Sequence, residues 1–157
     1  MSHIPTFFKT FPQEPGELST SNAIARLIDG LGYRLYWALY GLREKECQYT
    51  LCDGAPSIKD ILWHILGLVN WVYMHVYGHQ MTRKPSIIDQ GIDTLLALEK
   101  LRQTFLEMSD AELVNYKLED MSFWSYINMP LSDALHHVGQ VSILRRAAGN
   151  PVAKERS

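Results

Sequence analysis

The chain is poor in the features that would give a quick functional assignment. Its 157 residues include only two cysteines, Cys47 and Cys52, with four residues between them. That spacing fits neither a redox Cys-x-x-Cys motif nor a zinc knuckle, and no second pair exists. Two thiols in a loop fit a reducing compartment, and a cytoplasmic location is expected. Charge of one sign is also missing. Fifteen Lys+Arg stand against 17 Asp+Glu, a formal charge of −2, which removes the electrostatic footprint of a nucleic-acid binder. The most apolar stretch, residues 61–76, is interrupted by His64, Asn70 and His75 and falls short of the roughly 20 apolar residues that cross a bilayer. The N-terminus MSHIPTFFKTFPQEPGE has no basic segment followed by an apolar run, so no signal peptide is expected. Glycine-rich phosphate loops, nucleophile elbows, internal repeats and low-complexity tracts are absent as well.

What is present is helical periodicity. The length fits one domain over residues 1–157, large enough to fold on core burial alone. Residues 1–20, with Pro5, Pro12, Pro15 and Gly16, read as an extended arm whose Phe7, Phe8 and Phe11 lie on the body. A first helix is expected from Asn22 to Glu46, carried by Ile24, Leu27, Ile28, Leu31, Leu35, Leu39 and Leu42. Gly30, Gly32 and Gly41 either weaken it or permit close contact. Ser57-Ile-Lys-Asp60 has the spacing of a capping box and opens a second helix that runs to Tyr77, before Gly78. Ser86-Ile-Ile-Asp89 opens a third, reaching Met108, and Ser109 to Glu112 caps a short turn. Residues 115–131 look irregular, with Met121, Phe123, Trp124 and Tyr126 packed over a pocket and Trp124 as its expected wall. The last long helix starts near Pro130 and stops at Gly149-Asn-Pro151, leaving 154–157 as a frayed tail. Four long amphipathic segments without a convincing strand predict an all-α fold, a four-helix bundle.

Six histidines are the main chemical resource: His3, His64, His75, His79, His136 and His137. Asp133 and His137 are four apart and share a helix face, and the expectation is that this face, continued by Gln140, Val141 and Leu144, looks inward. An inward acid is costly unless paired or bound to a metal. His64 interrupts the apolar run of the second helix. Two imidazoles and one carboxylate would suit Zn²⁺, Ni²⁺, Fe²⁺ or Mn²⁺ with positions left open. The spacing taken alone favours a core Asp–His hydrogen bond over a metal, with surface positions as a third reading. A rival set, His64, His75 and His79, places its members near one helix face, but His79 falls beyond Gly78. His136 lies about 100° around the helix from its neighbour. Gln140 reads either as a donor that orients a ligand or as a packing contact. Arg145 and Arg146 suit the negative end of their own helix, and Arg145 has the reach for a shared rim. No protein nucleophile is evident.

The helix-two phrase Ser57-Ile-Lys-Asp-Ile-Leu-Trp-His64 and the phrase Asp133-Ala-Leu-His-His137-Val-Gly-Gln140, followed by Leu144-Arg-Arg146 and Gly149-Asn-Pro151, resemble the DinB/YfiT-like metalloenzymes. That family includes proteins similar to mycothiol-dependent maleylpyruvate isomerases and bacillithiol transferases. The resemblance spans residues 20–151 and implies a four-helix bundle with an unusual crossing order, forming a homodimer. It implies a divalent metal held by one histidine of the second helix and two of the last. In this chain those positions are His64, Asp133 and His137, so an aspartate stands where the family usually has a histidine. It further implies an enzyme in which a metal-activated low-molecular-weight thiol, or water, attacks a small-molecule substrate. A non-catalytic metal- or ligand-binding protein with a degenerate site is the other reading.

Overall fold

The computed structural model describes residues 3–115 and 122–153, and of Tyr126 its backbone alone. All regular structure among these residues is helical. The long helices are α1 (Thr20–Leu39), α2 (Ile58–Tyr77) and α3 (Ile87–Glu107). Two short pieces follow, α4 (Asp110–Asn115) and α5 (Phe123–Tyr126), and then the fourth long helix, α6 (Ser132–Ala147). Helix α1 packs on α3 and α6, and α2 packs on the same two, whereas the successive helices α1 and α2 scarcely meet. The chain therefore crosses a diagonal between its first two long helices. No helix among the described residues is long and apolar enough to cross a membrane.

Local chemistry sets most boundaries. Ser57 accepts from the Asp60 N–H and Asp60 returns a bond to the Ser57 N–H at 2.9 Å, the reciprocal box that starts α2. Gly78 ends α2 in the left-handed conformation, with φ 76°. Ser86 caps α3 by accepting from the N–H groups of Ile88 and Asp89. Ser109 and Glu112 cap the short α4 as expected.

Helix α1 stops earlier than its apolar period predicts. Tyr40 is extended and Gly41 sits at φ 70°, so the helix ends at Leu39 and only a single 3-10 turn, Glu44–Glu46, follows. Leu42 keeps the apolar rhythm because it is buried by the turn, not because the helix continues. The end of α1 is closed from another helix. The Arg145 guanidinium, 1% exposed, donates to the carbonyls of Trp37, Ala38 and Tyr40 at 3.1, 2.9 and 3.0 Å. Arg145 thus caps the C-terminus of α1 rather than serving its own helix or a rim.

The arm does lie on the body. Phe8 is 1% exposed and its ring occupies the place of a side chain at Gly32, where an added Cβ would lie 2.5 Å from it. Arg26 holds the arm at the Pro12 carbonyl and covers the Phe11 ring. Arg102 on α3 forks onto Asp29 of α1, with Nε–Oδ1 at 2.5 Å and Asp29 fully buried, and also reaches the Gln13 carbonyl. This buried ion pair joins α1, α3 and the arm.

The expected loop is helical over its described second half. Helix α5 runs without a break through a π-helical turn, Ile127–Leu131, into α6. Pro130 has no N–H to give and crowds the carbonyl one turn earlier, so the wider turn accommodates it. Ser132 Oγ donates to the Ile127 carbonyl at 2.5 Å, filling part of the gap. Met121 and the tail 154–157 lie outside the described residues.

Candidate metal centre

Helices α2 and α6 pack along much of their length, and the site sits on their seam. His64 stands on α2 beside the buried Leu62 and Ile65; Asp133 and His137 stand one turn apart on α6. His64 Nε2 lies 3.3 Å from one Asp133 oxygen, and His137 Nε2 lies 3.3 Å from the other. The two imidazoles meet edge to face with centroids 4.6 Å apart. One ligand atom from each residue falls within 4.8 Å of the others, and among the described residues these three form the sole such group.

The carboxylate does not look inward as expected. Asp133 retains 42% of its side-chain exposure, His64 51% and His137 23%. The core face of α6 is carried by Ala134, Val138, Val141 and Arg145. Asp133, His137 and Gln140 lie on the adjacent strip, about 100° away, where α6 meets the edge of α2. Such a position avoids burying a charge and leaves the centre open to ligands.

Gln140 Oε1 lies 2.8 Å from the His137 Nδ1 and can only accept, so Nδ1 donates to it and Nε2 is the nitrogen left to face Asp133. Nε2 lies 3.3 Å from a carboxylate oxygen, and a proton or a cation between the two would satisfy both. Both nitrogen–oxygen separations are longer than the roughly 2.7–2.9 Å of a charge-assisted hydrogen bond. One such separation matches the roughly 3.3 Å edge of a tetrahedron built on metal–ligand bonds of about 2.0–2.1 Å. With one ligand atom of each residue within 4.8 Å of the others, the three residues could hold a divalent ion. Gln140 thus bonds His137, and its Nε2 also lies 3.4 Å from exposed His136, whose ring touches that of His137.

The rival histidine set does not assemble. His75 Nδ1 bonds the Trp71 carbonyl at 2.7 Å, and His79 lies past the end of α2 against the Tyr73 ring. Neither cysteine supplies a second centre. Cys47 is buried, and burial, with Glu44 and Glu46 nearby, pushes its thiol up to about 11, which leaves it unreactive near neutrality.

Beside the three ligands lies a cleft of about 470 Å³ lined by Trp63, His64, Gly67, Leu68, Trp71, Met129, Pro130 and Asp133. Trp124, the expected wall, is 71% exposed and does not line it. The indoles that do are Trp63 and Trp71 of α2, and the opposite side comes from the π-helical turn through Met129 and Pro130. The sequence signal for this wall was the spacing of Trp63, Gly67 and Trp71, one helical turn between each.

Comparison of the chain with protein-family models, with curated proteins and with solved structures returned no match.

Proposed function

We propose that this chain is a divalent-metal-dependent enzyme, built as a four-helix bundle of the DinB/YfiT-like type, in which a metal-activated thiol or water attacks a small-molecule electrophile. The observation that carries the reading is the His64–Asp133–His137 group, with both carboxylate oxygens 3.3 Å from an imidazole Nε2. A bound divalent ion supplies Lewis acidity that brings the pKa of a coordinated thiol or water toward 7.

The residues have separable tasks. His64 and His137 offer neutral nitrogen donors, and Asp133 offers a hard oxygen donor that makes the set less positive than three histidines would. Gln140 keeps the Nε2 of His137 free by holding the proton on Nδ1. Trp63, Trp71 and Met129 give the electrophile an apolar bed beside the ligands. Three protein ligands at a half-exposed seam leave coordination positions open, which favours catalysis over a closed structural site. A cytoplasmic homodimer using a low-molecular-weight thiol is the form this proposal takes.

The test is metal analysis of the protein with Zn²⁺, Ni²⁺, Fe²⁺ and Mn²⁺ added in turn, beside the variants His137→Ala and Asp133→His. Stoichiometric binding that disappears in His137→Ala and is kept or tightened in Asp133→His is expected. Wild-type protein that takes up none of the four ions, while folded by circular dichroism, overturns the proposal.

A further inference from the structure

Glycine inside a helix costs about 1 kcal/mol relative to alanine, so its presence asks for a reason. Two helical glycines have one in the packing: a Cβ at Gly32 would meet Phe8 at 2.5 Å, and one at Gly91 would meet Leu39 at 2.8 Å. Gly67, in the middle of α2, and Gly139 of α6 have no such neighbour; a Cβ at either would meet nothing within 4 Å. Yet Gly67 is one of the two residues shared by the cleft beside the ligands and a second cleft of about 330 Å³ on its other side. The other shared residue is Trp63. Trp63 and Trp71 stand one turn before and one turn after Gly67, so the bare backbone forms the floor of a slot with an indole at each end.

The second cleft ends in a cation. Arg83 lines it and lays its guanidinium 4.9 Å from the centroid of the Trp63 ring. No acidic group among the described residues pairs with Arg83, whereas its neighbour Lys84 is paired with Asp93 at 3.2 Å. The segment that presents Arg83 is pinned at both sides. Asn70 Oδ1 accepts from the Met81 N–H at 2.8 Å, and Gln90 Oε1 accepts from the Lys84 N–H at 2.7 Å.

We infer that the substrate is a planar, apolar molecule with an anionic group, lying across Gly67 between the two indoles, with the anion on Arg83 and the other end at the ligand cluster. The inference rests on the proposed metal-dependent reading of the same site and names its substrate class. An aromatic or conjugated body matches a floor without side chains and walls of indole. A carboxylate or similar oxyanion matches the fork of an unpaired guanidinium already placed over an aromatic face. Gly67 and Arg83 are then specificity-determining residues, one by leaving room and one by charge.

The test uses 2-naphthoate and its neutral counterpart 2-naphthamide, titrated into the full chain by calorimetry. A chelator is present throughout, so the carboxylate has no ion to find. Naphthoate is expected to bind more tightly than naphthamide. Arg83→Gln is expected to weaken naphthoate by about tenfold and leave naphthamide unchanged. Gly67→Ala is expected to weaken both probes by about tenfold while raising Tm by about 2–4 °C; a merely structural glycine would give no loss of binding. Equal binding of the two probes, a naphthoate preference that survives Arg83→Gln, or unaltered binding in Gly67→Ala each overturns the inference. So does probe binding that fades as protein concentration rises, which would place a second copy on this face. A Zn²⁺ titration of the same samples without chelator separates the two readings. Zn²⁺ uptake without probe binding removes the substrate class alone, and probe binding without Zn²⁺ uptake removes the metal alone.

Discussion

Replacing Arg145 by leucine keeps most of the side chain's bulk and removes the Nη1 donor that closes α1. Three carbonyl groups, those of Trp37, Ala38 and Tyr40, then lose their donor in a place where Arg145 itself is 1% exposed. Each orphaned buried acceptor costs about 1–3 kcal/mol, and neighbouring losses do not add in full because water reaches some of them. A total of about 3–5 kcal/mol follows. For a chain of this size that lowers Tm by roughly 8–16 °C. Urea unfolding of the wild type, Arg145→Leu and Arg145→Lys measures it; all three bonds come from Nη1, so a lysine ammonium keeps a donor but lacks the reach and rigidity of the guanidinium and falls between the two. The proposed metal ligands Asp133 and His137 lie on another strip of α6, so Zn²⁺ affinity in the folded variant should equal that of the wild type. A loss below about 1 kcal/mol, or equal stability of the leucine and lysine forms, would refute the assignment of Arg145 as the cap of α1.

Removing the Gln140 bond in Gln140→Leu should weaken Zn²⁺ binding by about 10–100-fold without changing the unfolding midpoint of the metal-free protein, since the amide acts on ligand orientation; competition with a chromophoric chelator reads the affinity. Acid should loosen the junction between the turn at Glu44–Glu46 and the end of α6. Burial alone would raise the Glu46 pKa, but hydrogen bonds from Arg43 and Asn150 win and hold it down to about 2. A carboxyl depressed in the folded state stabilises above its unfolded value of about 4.3 and loses that contribution as pH falls toward 2. Urea midpoints measured from pH 5 to pH 2 should therefore fall more steeply for the wild type than for Glu46→Gln, and parallel curves would contradict the account.

Features set by neighbouring residues were legible from the sequence. Ser57 with Asp60, Ser109 with Glu112, and Gly78 after Tyr77 each state a boundary within one turn, and the structure places the helix ends there. Gly41 was harder to read, because Leu42 keeps the apolar rhythm while the backbone has already turned. Interactions across long stretches of chain left no local mark. Arg145 is more than a hundred residues from the carbonyls it caps, and Asp29 and Arg102 are 73 apart. The centre shows the same division. The helical spacing of Asp133 and His137 is visible in the sequence, and His64 stands out there as a polar break in an apolar run, but only the packing of α2 on α6 brings its Nε2 to 3.3 Å from Asp133. Whether Asp133 looks in or out depends on about 100° of helix rotation, which Ala134 and Val138 decide by taking the core.

The π-helical turn at Ile127–Leu131 has a consequence for how this surface can diversify. One side of the cleft and two of the three candidate ligands ride on one continuous helical rod, with Met129 and Pro130 inside the wide turn and Asp133 and His137 beyond it. An insertion or deletion within a wide turn is absorbed by tightening or widening it, rotating the preceding segment by about 100° per residue. Asp133, His137 and Gln140 keep their mutual register through such a change, because it occurs upstream of all three. The rod acts as a swivel: new walls can be turned toward the cleft while the ligand atoms stay where they are.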